Sequence, residues 1–170
     1  GSTVSASAQS SVVYVDTRFN EKYADGHTFG VNAFSTIQEG IDAVSEGGVV
    51  HVAQGTYNEP LTITKSLSLI GTQQISTEKE EDISTIYGEN SAATILVRGS
   101  SAPVEVSISN FHIKGGTHGI LVVEKASLLI SGNRIDSYKK NGVTFGSKII
   151  AGEGKVSGTV DSNIIEGSGV

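Results

Sequence analysis

Charged and titratable side chains recur at matching positions of an internal repeat in the C-terminal part of the chain. Five of them could form one polar patch: His112, Lys114, Arg134, Asp136 and Glu166. Arginine and lysine neutralise carboxylates, and paired carboxylates can hold Ca²⁺. Lys114 and Arg134 are therefore candidate catalytic residues, all five are candidate ligand-binding residues, and Asp136 with Glu166 is a candidate Ca²⁺ site. The alternative is a solvated charge ladder along an exposed sheet.

The repeat that aligns these residues begins at Val104. Three segments match: VEVSISNFHIKGGTHGILVV, ASLLISGNRIDSYKKNGVTF and GTVDSNIIEGSGV. The alignment forms two apolar columns, which are Ile108, Ile130 and Val160, and Ile113, Ile135 and Ile165. One repeat is about 22 residues long, within the range of solenoid repeats. An insertion from Ser147 to Lys155 accounts for the longer second period.

Side chains alternate between the two faces of a strand, so the residues on either side of the second apolar column should point outward. One outward column contains His112, Arg134 and Ile164, and the next contains Lys114, Asp136 and Glu166. Neighbouring strands lie about 4.8 Å apart. We therefore expect Lys114 to pair with Asp136, and His112 to lie over Arg134.

A further column of the same alignment is interpreted as structural. It contains Phe111, Asn133 and Asn163. An asparagine in an inward bend can form hydrogen bonds with backbone groups of its own turn and of the next one. The two asparagines are therefore expected to form a short hydrogen-bonded ladder. Phe111, at the start of the column, is expected to stack as an apolar side chain instead.

The N-terminal half contains a short amphipathic helix within Phe34 to Gly71. Ser35 is the expected N-cap, with Gln38 completing a capping box. The spacing of Ile37, Ile41 and Val44 places them on one face, which should cover the end of the core. Gly47-Gly48 is the expected end of the helix.

Short apolar runs follow this helix almost without loops. The helix and these runs together match the sequence pattern of a known family. The segment reads F-x-T-I-Q-x-x-I-D and then G-T-Y-x-E-x-L-x-I-x-K-S-L-x-L-I-G. It resembles the N-terminal cap and first coil of right-handed parallel β-helix proteins, the pectin-lyase-like group. The resemblance implies an all-β solenoid, a right-handed parallel β-helix with one N-terminal capping α-helix. Because this fold hosts lyases, hydrolases, esterases and surface proteins, it does not identify the function.

Composition excludes several classes of function. The 170 residues contain no cysteine, so thiolate chemistry and disulfides are absent. A formal net charge of −6 argues against nucleic acid as a partner. No apolar run is long enough for a membrane span.

The domain assignment rests on composition along the chain. Residues 1–11 are interpreted as a tag scar and a disordered Ser/Ala-rich linker, and residues 12–170 as one β-helix domain. The Ser/Ala-rich start is typical of a chain that follows a removed signal peptide, which favours a secreted or cell-surface location. Polar loops are expected at Asp16 to Val31 and at Gln73 to Asp82. In the first of these loops, Asp16 and Asp25 are oxygen ligands of the kind Ca²⁺ takes.

Two functions of different classes remain open. The first is a non-catalytic β-helix module of an exported or surface protein, which binds polysaccharide. The second is the N-terminal part of a polysaccharide lyase or hydrolase that acts on acidic sugars. Eliminative cleavage needs a cation, a neutralised uronate and a basic proton acceptor, and the polar patch could supply them.

The last repeat has no recognisable cap in the sequence. We therefore expect a fragment of a longer solenoid, or an open C-terminal coil that another copy covers. Val160, Ile165 and Val170 would form the apolar end of that coil. An end-to-end homodimer would cover it, because exposing such side chains costs roughly 1.5–3 kcal/mol each.

Overall fold

The computed structural model describes residues 9–72, 82–145, 156–161 and 164–165, the last two ranges by their backbone. This part of the chain contains one helix, α1 (Ile37–Ala43), and sixteen strands. The strands are β1 (Val12–Val15), β2 (Ala33–Phe34), β3 (Gly48–Val52), β4 (Gly55–Tyr57), β5 (Leu61–Ile63), β6 (Leu67–Ile70), β7 (Ser84–Tyr87), β8 (Ala93–Arg98), β9 (Val104–Ser109), β10 (Phe111–Lys114), β11 (His118–Val123), β12 (Ala126–Ser131), β13 (Arg134–Asp136), β14 (Asn141–Phe145), β15 (Val156–Asp161) and β16 (Ile164–Ile165).

The strands form three parallel sheets. The seven-stranded sheet has the order β15-β12-β9-β6-β3-β1-β2, the five-stranded sheet β16-β13-β10-β7-β4, and the four-stranded sheet β14-β11-β8-β5. From β3 onwards the chain visits the three sheets in turn, so three consecutive strands make one rung. Each strand pairs with the strand of the same sheet in the next rung. The chain is therefore an all-β protein of parallel sheets with one short helix.

The register between rungs confirms the repeat read from the sequence. Ile108 is the partner of Ile130, and Ile130 is the partner of Val160. In the five-stranded sheet, Ile113 pairs with Ile135 and Ile135 with Ile165. The described members of these columns are buried in one continuous apolar core that all three sheets share. A one-residue slip would turn every such side chain outward, so burial selects this register.

Helix α1 packs against one end of this core, and its boundaries differ from the sequence prediction. Its N-cap is Thr36, not Ser35, and the Thr36 hydroxyl accepts a hydrogen bond from the Glu39 backbone N–H at 3.3 Å. The Glu39 carboxylate accepts from the Thr36 hydroxyl, so the side-chain pair at the start of the helix is Thr36/Glu39 rather than Ser35/Gln38. Glu59 adds a second cap, because its carboxylate accepts from two further N–H groups of the first turn, those of Ile37 and Gln38.

The helix also ends earlier than expected. Val44 is already extended, and Gly47, with φ of 80°, belongs to the turn that leads into β3. The predicted apolar face is confirmed, since Ile37, Ile41 and Val44 are all buried. Gly40 permits the close approach to β1, because a Cβ there would lie 2.6 Å from Val15 Cγ2. Within the described residues, no helix is long and apolar enough to cross a membrane.

Candidate functional site

The outer face of the five-stranded sheet brings together four of the five residues of the predicted polar patch. The register sets His112 beside Arg134 and Lys114 beside Asp136 on the adjacent strands β10 and β13. Ile113 and Ile135 lie between these columns and are fully buried on the other face. The alternation of side chains along two short strands is therefore what assembles the site. Glu166, the fifth residue, lies outside the described part of the chain, as does Asn163.

Asp136 is the centre of the polar contacts. Both of its carboxylate oxygens lie 3.0 Å from His112 Nε2, and Oδ2 lies 3.2 Å from Arg134 Nε. Since the carboxylate can only accept, the proton of the imidazole belongs on Nε2. Asp136 thus reaches diagonally to the column that contains His112, in addition to lying opposite Lys114 in the register.

The polar-patch prediction required His112 to lie on an exposed surface, but the structure buries this residue. The residue is 7% exposed, and no described residue forms a hydrogen bond with Nδ1. The imidazole is held against the Asp136 carboxylate, so it positions that carboxylate and, through it, Arg134. Contact of His112 with a ligand from solvent is not supported by this burial.

The solvent-accessible part of the site is a cationic strip made of Tyr87, Lys114 and Arg134. Tyr87 is the partner of Lys114 on the preceding strand of the sheet, and it is 38% exposed. The Lys114 ammonium lies 5.9 Å from the centroid of the Tyr87 ring, within the range of a cation–π contact. The Arg134 side chain is 40% exposed. The strip therefore places two half-buried cations beside one exposed aromatic ring on the outer face of the sheet.

Sequence reasoning missed Tyr87, although a signal for it was present. The aligned repeat began at Val104, one rung too late. Ser84 to Tyr87 has the same inward-outward pattern as Phe111 to Lys114, with Ile86 in the apolar column. Extending the alignment back by one rung would have placed Tyr87 beside Lys114.

The structural column lies directly beside this site. The side-chain amide of Asn133 donates to the Ile108 carbonyl at 2.9 Å and accepts from the Phe111 backbone N–H at 3.0 Å. Asn133 and Phe111 are both fully buried. Asn133 therefore ties the turn before β13 to the preceding rung, which fixes the start of the strand that carries Arg134 and Asp136.

Two predictions made from the sequence reach beyond the described residues. No group of three or more His, Asp and Glu side chains in the described ranges could hold a metal ion. The Asp136/Glu166 Ca²⁺ site stays a prediction, because Glu166 is not among those residues. The end-to-end homodimer stays a prediction for the same reason, since it involves Val170.

Comparison of the sequence with models of protein families and with curated proteins finds no match.

Proposed function

We propose that this chain is a non-catalytic module of an exported or cell-surface protein that binds an acidic polysaccharide. We further propose that its parallel sheets form a right-handed β-helix of the pectin-lyase-like group, as the N-terminal motif implies. The observation that carries the binding proposal is the cationic strip. It offers two cations beside an exposed aromatic ring in a chain whose formal net charge is −6.

The strip suits a polymer of uronate residues for two reasons. Lys114 and Arg134 lie on adjacent strands and are diagonal neighbours in the register, roughly 7–8 Å apart at the backbone, so their charges can act on two neighbouring carboxylates. The Tyr87 ring adds a flat apolar surface with a polar tip, which suits one face of a sugar ring. Asp136 accepts from Arg134 Nε, and this hydrogen bond orients the guanidinium.

The contacts of Asp136 favour binding over catalysis. Its two oxygens lie within hydrogen-bond distance of His112 Nε2 and Arg134 Nε, so they are occupied by groups of the protein rather than directed at a substrate. A lyase would instead need Lys114 or Arg134 to remove the proton α to the uronate carboxyl group. Release of an unsaturated product from polygalacturonate or alginate, measured by ultraviolet absorbance, would therefore favour the enzyme alternative.

The binding proposal is tested by affinity electrophoresis and calorimetry with polygalacturonate and alginate. We expect the double variant Lys114→Gln/Arg134→Gln to weaken binding about tenfold, since two exposed ion pairs contribute up to about 1 kcal/mol each. The matched control is Arg98→Gln/Lys125→Gln, which removes the same two charges at exposed positions off the five-stranded sheet. Equal affinity of the double variant and the control would contradict the proposal.

A further inference from the structure

Away from the cationic strip, a cavity lies where the loop of residues 16–32 folds back over β1 and β3. Its volume is about 260 Å³, slightly below the common range of small-ligand sites. Most of the polar and aromatic side chains in its lining can form hydrogen bonds or stack, among them Tyr14, Asp16, Arg18, Asp25, His27 and His51. None of them belongs to the cationic strip, so this loop cavity is a separate candidate site.

One wall of the loop cavity is a stack of three rings. Tyr14 lies between His27 and His51, with ring centroids 3.7 Å and 5.5 Å away and interplanar angles of 10° and 19°. His51 comes from the neighbouring strand β3, where it is the register partner of Tyr14. His27 comes from the loop, and its backbone N–H donates to the Ala24 carbonyl. Stacking fixes the planes of both imidazoles, so their edges have defined directions.

An ion pair forms another part of the lining. Asp16 is 3% exposed, and its two oxygens accept from Arg18 Nε at 3.1 Å and Nη2 at 2.7 Å. The Arg18 backbone N–H donates to the same carboxylate at 2.9 Å. Arg18 itself is exposed at the rim, where Tyr23 lies 5.9 Å from the guanidinium. Asp16 is too buried to contact a ligand itself, but it orders the exposed guanidinium of Arg18 before a ligand arrives, which lowers the entropic cost of binding.

The charges and donors of the loop cavity select the class of ligand. Asp16, Arg18 and Asp25 together carry one negative charge, whereas Lys114, Arg134 and Asp136 together carry one positive charge, so an acidic sugar is disfavoured in the loop cavity. No set of three metal-ligating side chains is present among the described residues, which removes the reason to expect a cation. Imidazole edges, a guanidinium and a carboxylate can each form hydrogen bonds with hydroxyl groups. From these features we infer that the loop cavity binds one residue of a neutral saccharide.

The four histidines of the chain provide a direct test. His27 and His51 line the loop cavity, His112 lies beside the cationic strip, and His118 lies on β11. Imidazole NMR resonances, assigned with His→Gln variants, are followed at fixed pH during titration with xylohexaose, cellohexaose, mannohexaose or a β-1,4-galactan oligosaccharide. We expect saturable shifts of His27 and His51 with at least one of the four, while His118 does not move. Polygalacturonate should instead shift His112, so the two proposals fail separately.

Two variants make the inference sharper. Asp25 has φ of 50°, a conformation that asparagine tolerates well, so Asp25→Asn should leave the backbone unchanged. His51 is exposed, so His51→Gln should also fold. We expect each variant to raise the Kd obtained from the shift of His27 at least fivefold, whereas His118→Gln should leave this Kd unchanged. The inference is overturned if no neutral oligosaccharide shifts His27 and His51 at millimolar concentration. Unchanged affinity in both variants, or saturation by chitosan oligosaccharides alone, would overturn it as well.

Discussion

At the scale of single residues, two carboxylates organise the polar chemistry, and both are held by an arginine two positions away. Asp16 pairs with Arg18, and Asp136 pairs with Arg134. The first pair forms within a loop and the second within a strand, where residues two apart share a face. In each case the carboxylate is more buried than its arginine, so the arginine is oriented at the surface by a fixed partner.

The Asp16–Arg18 pair predicts a dependence of stability on pH. Burial raises the pKa of Asp16, but the hydrogen bonds and positive charge of Arg18 outweigh it, and the net pKa is lowered. A carboxyl group with a lowered folded-state pKa stabilises the protein above its unfolded pKa, and this contribution is lost as pH falls through the folded value. We expect the Arg18→Gln variant to lose less unfolding free energy than the wild type as the pH falls from about 5 to about 2.

Urea unfolding between about pH 5 and pH 2 measures this difference. Arg98→Gln removes an equal charge from an exposed position and serves as the control. Identical pH profiles for Arg18→Gln and wild type would show that Arg18 does not lower the pKa of Asp16.

At the scale of elements, α1 is the only helix in the described residues, and its seven residues are too few to be stable alone. Its stability comes from tertiary contacts. One face packs on the core, and Glu59, which follows β4, accepts from the first turn. Lys65 donates to the Asp42 and Val44 carbonyls at the other end of the helix. Both ends of α1 are thus capped by residues from the rung on which it packs.

Ile41→Asp tests whether α1 covers the core. Ile41 is 1% exposed, so the variant would bury an unpaired carboxylate, and we expect the free energy of unfolding to fall by about 3 kcal/mol or more. Asp42→Asn, on the exposed face of the same helix, should change it by less than about 0.5 kcal/mol. Urea titration followed by circular dichroism measures both. Equal stability of the two variants would mean that α1 is dispensable for the core.

At the scale of the whole molecule, one apolar cluster runs from Val13 in β1 to Tyr138 after β13. All three sheets contribute to it, and no second core divides the described residues into independent parts. A smaller cluster around Leu121 and Val123 lies in the four-stranded sheet. Since each rung contacts mainly its neighbours, the length over which unfolding is cooperative depends on how strongly adjacent rungs are coupled.

Ile108→Ala measures that coupling. Ile108 is fully buried in the central rung, so we expect the free energy of unfolding to fall by about 2–5 kcal/mol. Because the core is continuous, native-state hydrogen exchange should become faster in β1 and β13 as well as in β9. If only β9 and its adjacent strands lose protection, the rungs unfold separately.

The sequence by itself determined the period of the repeats from Val104 onwards and the face on which their aligned residues lie. Alternating apolar residues in repeats of similar length allow only one register, because any slip exposes the apolar column. This is why the pairs Ile108–Ile130 and Ile113–Ile135 were predictable, and why His112, Lys114, Arg134 and Asp136 could be placed on one sheet.

Only the tertiary structure decided which of these side chains contact each other and which face solvent. Asp136 lies opposite Lys114, yet its hydrogen bonds to His112 and Arg134 depend on rotamers and on burial, which strand spacing does not specify. The same holds for the loop cavity. Tyr14 and His51 follow from the register, but His27 joins them only because the loop turns back at Asp25 and Gly26, both with positive φ. The alternation of side chains along a strand can be read from the sequence. The path of a loop and the contacts of a polar side chain depend instead on the residues packed around them.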